Sequence, residues 1–185
     1  MKCFRMIGVV LVIALVAWGL MAPVPAGAAS AGELNRNATK ALNQLYAKSP
    51  SAKTLGEKAK GILVFPSIVK GGFIVGGQEG DGVLRKGGKT VGYYRSIAVS
   101  YGLQAGVQKF GYALFFMTES AMKWLDKSDG WELGTGPSIV VADVGTAEAL
   151  TTTTAQHEIY AFFFHQQGLM AGIGLQGTKI TKISK

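Results

Sequence analysis

The stretch Lys60–Leu84, KGILVFPSIVKGGFIVGGQEGDGVL, constrains the fold most, because it packs two apolar runs, one proline corner and seven glycines into 25 residues. Ile62–Phe65 and Phe73–Val75 are short, rich in β-branched and aromatic residues, and bounded by Pro66, Gly71-Gly72 and Gly76-Gly77. That pattern predicts strands and is too short for helices. Lys60 and Lys70 flank the first run and are each followed by glycine, which predicts unshielded cations on an anion-facing rim.

The N-terminus reads as a leader rather than as part of the fold. Lys2 and Arg5 precede Met6–Ala22, which carries no charge, and small residues with the cleavage pattern Ala26-Gly27-Ala28 follow. This predicts a secretory signal peptide over 1–28 and one domain over 29–185. The apolar run falls short of the roughly 20 residues that span a bilayer, and an uncleaved inner-membrane anchor is the alternative. Either way the chain is expected to be exported, to the periplasm or cell envelope. Cys3 is the single cysteine, so disulfides take no part in the domain.

Without the leader the net charge is +6, and +5 of it lies between Ala29 and Lys70. Such a lopsided basic segment attracts anionic surfaces, whether lipid headgroups, acidic polymers or nucleic acid; solvation of a helix surface accounts for the same lysines equally well. Nucleic acid is disfavoured, because the segment lacks interleaved aromatics for base stacking and the leader exports the chain.

Glu33–Lys48 places Leu34, Ala38, Ala41, Leu42 and Leu45 on one helical face, with Arg36 and Lys40 on the other. The alanine-diluted apolar face favours docking on the protein's own sheet over lying in a membrane interface. Ser49-Pro50 breaks this helix, and a second is predicted over Ala52–Ala59. Gly87-Gly88 predicts a hairpin turn. Ile97–Gln108 alternates strictly, predicting one long strand with Ile97, Val99, Tyr101, Leu103, Ala105 and Val107 buried. Tyr112–Met117 reads as a central strand, and Thr118 as the cap of a helix that ends at Ser128-Asp129-Gly130. Trp131–Leu133, Ser138–Ala142, Glu158–Phe164 and Leu169–Leu175 are further strand candidates, the last extended by Thr178–Ile183. The fold class expected is α+β: a glycine-rich, strongly curved, mostly antiparallel, barrel-like sheet with N-terminal helices and one further helix.

Motifs for chemistry are sparse. No nucleophile elbow occurs, and the domain has no thiol for catalysis or metal binding. His157 and His165 stand about 26 Å apart if the strand is continuous, at 3.3 Å per residue. Asp143, Glu148 and Glu158 are not brought together by the sequence. The glycines of Gly71–Gly82 match no phosphate-loop pattern and read as structural. Tyr160, Phe162 and Phe164 form an aromatic stripe best explained by core packing. No enzymatic activity, cofactor or metal is expected.

AKGILVF at Ala59–Phe65, VKGGF at Val69–Phe73, GVL in Gly80–Leu84, SYGLQAG at Ser100–Gly106 and GLMAGIGLQG at Gly168–Gly177 resemble the SYLF domain family over roughly Ala31–Ile183. That family includes lipid-binding proteins of eukaryotic membrane-remodelling pathways, yeast actin-binding proteins and exported bacterial proteins. The resemblance implies binding of phosphoinositides or other acidic phospholipids through an N-terminal amphipathic helix and nearby cations. On this chain those positions are Lys60 and Lys70 of the motifs, with Arg36, Lys40, Lys53 and Lys58. An exported chain would meet bacterial acidic lipids rather than actin. The expected partner is an anionic membrane surface; a structural module that binds an envelope protein is the alternative.

Overall fold

In the computed structural model, residues 29–72, 75–101, 106–142, 157–167, 175 and 177–185 are described. The expected leader, residues 1–28, and the carboxylates Asp143 and Glu148 lie outside them, as does most of the strand candidate Leu169–Leu175.

Local capping sets the two N-terminal helices. Ser30 Oγ accepts from Glu33 N at 3.2 Å and opens α1, Ala31–Lys48. Ser49 Oγ accepts from Ala52 N at 3.2 Å, and Pro50, with its fixed φ, starts α2, Pro50–Lys58. The apolar stripe of α1 (Leu34, Ala38, Ala41, Leu42, Leu45) is buried as its spacing predicts.

Eight strands follow: β1 Gly61–Gly72, β2 Val75–Lys86, β3 Lys89–Tyr101, β4 Gly106–Phe116, β5 Trp131–Glu132, β6 Ile139–Ala142, β7 Ile159–Gln167 and β8 Lys179–Ile183. They form one curled sheet in the order β5-β8-β3-β2-β1-β4-β7-β6, antiparallel throughout except for the parallel pair β6–β7. The α+β, curved, mostly antiparallel expectation matches this architecture. Gly87 and Gly88, at φ 54° and 78°, close the β2–β3 turn, a conformation that suits glycine and the twist of a two-residue hairpin.

Each face of the sheet has its own core. On one face, Ile62, Val64, Val83, Ala113, Phe115, Tyr160, Phe162 and Phe164 pack beneath α1 and α2, so the aromatic stripe is core. On the other, Leu63, Phe65, Ile68, Tyr94, Tyr112 and Phe116 pack against Trp131 and a short helix, α3 (Glu119–Met122), continued by a 3₁₀ turn at Lys123–Asp126. Thr118 caps α3 as read from the sequence, accepting from Ala121 N at 3.1 Å. Among the described residues, both cores are built from positions between Leu34 and Ile180.

Two strand expectations are corrected. Lys179–Ile183 is not an extension of a preceding strand; it is β8, paired with β3 and β5. Ile97–Gln108 is not one strand, because β3 is held by β2 and β8 whereas β4 is held by β1 and β7. Its apolar face is not buried either: Ile97, Val99 and Val107 are 45%, 62% and 72% exposed, and the supposedly polar position Gln108 is buried. Leu103 and Ala105 lie outside the described residues. The phase is inverted because these apolar positions share the helix-bearing face with Arg95 and Lys109, beyond the area that α1 covers.

Candidate functional site

Docking of α1 settles which of its atoms are free to meet a partner. Arg85 on β2 donates to the Asn35 carbonyl at 3.0 Å and to Thr39 Oγ1 at 2.6 Å. Asn35 in turn donates to the Tyr93 hydroxyl at 2.9 Å and accepts from Thr90 at 2.8 Å. Each buried leucine of α1 contributes about 2 kcal/mol. Undocking would forfeit those contributions as well as these hydrogen bonds. The apolar stripe is therefore committed to the sheet, and α1 presents only its outer, polar surface.

That outer surface carries Arg36 and Lys40, both exposed beside Thr39, Asn43 and Gln44. Lys53 and Lys58 are exposed on α2, and Lys53 lines a separate cleft with Tyr46, Glu57, Arg85 and the Gly87-Gly88 turn. Lys60 is exposed at the start of β1, its backbone N–H bonded to the Phe116 carbonyl at 2.8 Å. Among the described residues, only Lys86, Arg95 and Lys185 serve as cations in ion pairs. All five of these predicted cations therefore lack an acidic partner there.

Lys70 departs from the expected open rim. It is 8% exposed and points, with Ile68, to the face opposite α1. The irregularity between Phe65 and Ile68 resets the alternation of β1, and Lys70 lies between Gln78 and Gln108 in register. Both glutamines are buried; Gln78 donates to Thr178 at 3.3 Å, while Gln108 Oε1 has no hydrogen-bond partner among the described residues.

Sequence reasoning missed Lys109. It is exposed on β4 and lines a cleft of about 410 Å³ with Asn37, Lys40, Gln44, Ser67 and His165. The signal was available: Lys109 continues the alternation of Val107, and Arg95 precedes that of Ile97, so charges bracket the supposedly buried face. Partial burial, with Lys48 and Lys40 nearby, lowers the His165 pKa below its ordinary value. His157 precedes β7 and His165 lies within it at φ 54°. Among the described residues no three His, Cys, Asp or Glu side chains gather to hold a metal.

A second polar cluster lies at the entry to α1. Arg95 Nε donates to Asp81 Oδ1 at 2.9 Å, and its Nη1 lies 3.2 Å from Glu79 Oε1. Lys185 Nζ lies 2.7 Å from Asp81 Oδ2 and donates to the Ala29 carbonyl at 2.9 Å. Burial alone would raise the Asp81 pKa, but the hydrogen bonds and charges of Arg95 and Lys185 outweigh it and hold the carboxyl below its usual range.

No curated protein matches the chain. The family comparison covers the second half of β3 onward, leaving the AKGILVF and VKGGF motifs outside it. Residues 97–185 match the Ysc84 family, described as Las17-binding protein actin regulator, the family to which the SYLF-type motifs point.

Proposed function

We propose that this protein is a non-enzymatic module that binds anionic phospholipid surfaces, exported to the periplasm or cell envelope. The observation that carries the reading is the set of exposed cations on α1, α2 and the start of β1 that have no acidic partner among the described residues. Cations without partners near an acidic bilayer contribute on the order of 1 kcal/mol each. Arg36, Lys40, Lys53, Lys58 and Lys60 together supply useful but salt-sensitive affinity. The docked α1 gives this charge a rigid platform.

The test is co-sedimentation of residues 29–185 with phosphatidylglycerol-containing and with purely zwitterionic vesicles, at low and high salt. Binding restricted to the anionic vesicles and lost with salt is the expected result. Absence of binding to either overturns the reading. The family's description, which names a protein ligand, favours a second reading as a protein-interaction module. That reading is supported by specific crosslinking to one envelope protein in the absence of vesicle binding.

A further inference from the structure

Among the described residues, the helix-bearing face of the sheet is only half covered. In one row across four strands, Val107 on β4 stands opposite Gly71 on β1, Gly71 opposite Gly77 on β2, and Gly77 opposite Val99 on β3. In the next row the order is Lys109, Val69, Glu79 and Ile97. Alternation places Val75 on the same face. Val69 and Val75 are 51% and 56% exposed, so five β-branched residues share one exposed surface beside α1, with Glu79 between Val69 and Ile97.

The glycines deepen the centre of this surface. A Cβ added at Gly71 would come no closer than 3.8 Å to any neighbour, and at Gly77 no closer than 3.9 Å. Among the described residues, no close internal packing requires glycine at either position. Between them, Val107 and Val99 stand three strand spacings apart, roughly 14 Å, as walls of a shallow bowl floored by bare backbone.

Two observations indicate what covers it. The first is charge. Glu79 and Asp81, the acidic groups of this region, are matched by Arg95 and Lys185, whereas Lys109 and Lys40 at the margin make no ion pair among the described residues. The surface is apolar along the Val107–Gly71–Gly77–Val99 row, carries the Glu79–Arg95 pair beside it and is cationic at its edge. The second is chain direction. The Ala29 carbonyl is held by Lys185, which also reaches Asp81, two residues along β2 from Glu79. The chain therefore enters α1 at the border of this surface, where an uncleaved leader, with its uncharged, apolar Met6–Ala22, would hold it at a bilayer.

We propose that this uncovered half-face, with Val69, Val75, Ile97, Val99 and Val107 at its centre, is the surface that enters the interface of an anionic bilayer, while Lys40 and Lys109 meet the headgroup phosphates. The proposal rests on the lipid-binding reading above and changes its geometry. The apolar stripe of α1 is spent on the sheet, so the apolar contact with lipid comes from the sheet face itself. Val99 and Val107 are the deepest-reaching contacts because they are the most exposed.

Residues 29–185 contain no cysteine, so a single introduced cysteine takes an environment-sensitive fluorophore at one known place. Three labelled proteins, Val99→Cys, Val107→Cys and Ser128→Cys, are mixed with phosphatidylglycerol-containing vesicles. Ser128 serves as the control, exposed in the turn after α3. The expected result is a blue-shifted, brighter signal at 99 and 107 and none at 128. A Val99→Glu/Val107→Glu protein with unchanged circular dichroism is expected to partition at least about tenfold more weakly, since two apolar contacts are replaced by charges. Vesicle binding with silent labels at 99 and 107 overturns this surface and leaves binding by the helix cations standing. No vesicle binding overturns both readings. A label response that grows with protein concentration without vesicles, with sedimentation as a dimer, overturns the proposal in favour of a second copy on the same surface.

Discussion

Lys185 and Asp81 join distant parts of the chain: Nζ lies 2.7 Å from Oδ2, and the same ammonium donates to the Ala29 carbonyl at 2.9 Å. The side chains are only 9% and 13% exposed, so water screens this pair less than an ordinary surface bridge. It ties the start of α1 to the middle of β2 beside the half-covered face.

Replacing Lys185 by alanine is expected to make the fold more acid-sensitive. The Asp81 carboxyl is held below its ordinary pKa, so its contribution is present above the unfolded value of about 3.9 and lost as pH falls through the lower folded value. Lys185→Ala weakens that depression, and the midpoint of acid unfolding, followed by circular dichroism, should move to higher pH. At pH 7 the cost should be about 1 kcal/mol. An unchanged acid midpoint would show that Arg95 alone sets the carboxyl.

Tyr112→Phe should destabilise by about 1–3 kcal/mol in denaturant unfolding, because a buried hydroxyl is left without its partner. The Tyr112 hydroxyl donates to Ser96 Oγ at 2.8 Å, and both residues are fully buried. The double replacement Tyr112→Phe/Ser96→Ala should recover part of that loss, since the orphaned Ser96 hydroxyl is then gone.

Gly82 and Gly77 lie on the same strand and should respond oppositely to alanine. A Cβ at Gly82 would meet the Phe65 ring at 2.5 Å, whereas at Gly77 the nearest atom is the Ala98 carbonyl oxygen at 3.9 Å. Gly82→Ala is expected to cost about 1–3 kcal/mol through overpacking. Gly77→Ala should be neutral or stabilising by up to about 1 kcal/mol. Thermal unfolding of the two variants checks the contrast.

His165 combines a left-handed backbone, φ 54°, with a pKa lowered by partial burial and by Lys48 and Lys40. Glycine at this position should relieve strain worth on the order of 1 kcal/mol at pH 8. The sign of the pH effect follows from the lowered pKa: the unfolded chain binds the proton more readily. The stabilisation is complete above the unfolded value of about 6.5 and is lost as pH falls through the folded one. His165→Gly should therefore lose the part of the decline in stability that sets in as pH falls below the unfolded value of about 6.5.

The six sequence-chosen cations should separate on vesicles. Reversing the charges of Arg36, Lys40, Lys53, Lys58 and Lys60 together is expected to abolish binding to phosphatidylglycerol-containing vesicles. Lys70→Met should leave it within about twofold, since only an accessible ammonium gains from a surface potential. A large loss on Lys70→Met alone would place the lipid on the opposite face.

Much of this protein was legible in the residues alone. The apolar spacing of α1, the Ser49-Pro50 break, the Gly87-Gly88 turn and the Thr118 cap are local signals, decided within a few bonds of the residues that carry them. Apolar runs also marked Ile62–Phe65 as strand, and alternation the buried stripe Tyr160, Phe162, Phe164, whereas residues 66–72 and 76–82, read as a corner and bounding glycines, continue β1 and β2. What alternation could not supply was which face is covered. Period two says that two faces differ; whether the apolar one meets a core or solvent depends on where α1 crosses the sheet, a contact between residues far apart in the chain. Ile97, Val99 and Val107 were therefore read as buried and stand exposed, while Gln108 and Lys70 were read as open and lie inside. The sequence determined the elements, the helix face that docks and the excess of positive charge; only the tertiary structure decided which half of the sheet the helix leaves bare, because that depends on strand order and on a bulge that resets the phase of β1.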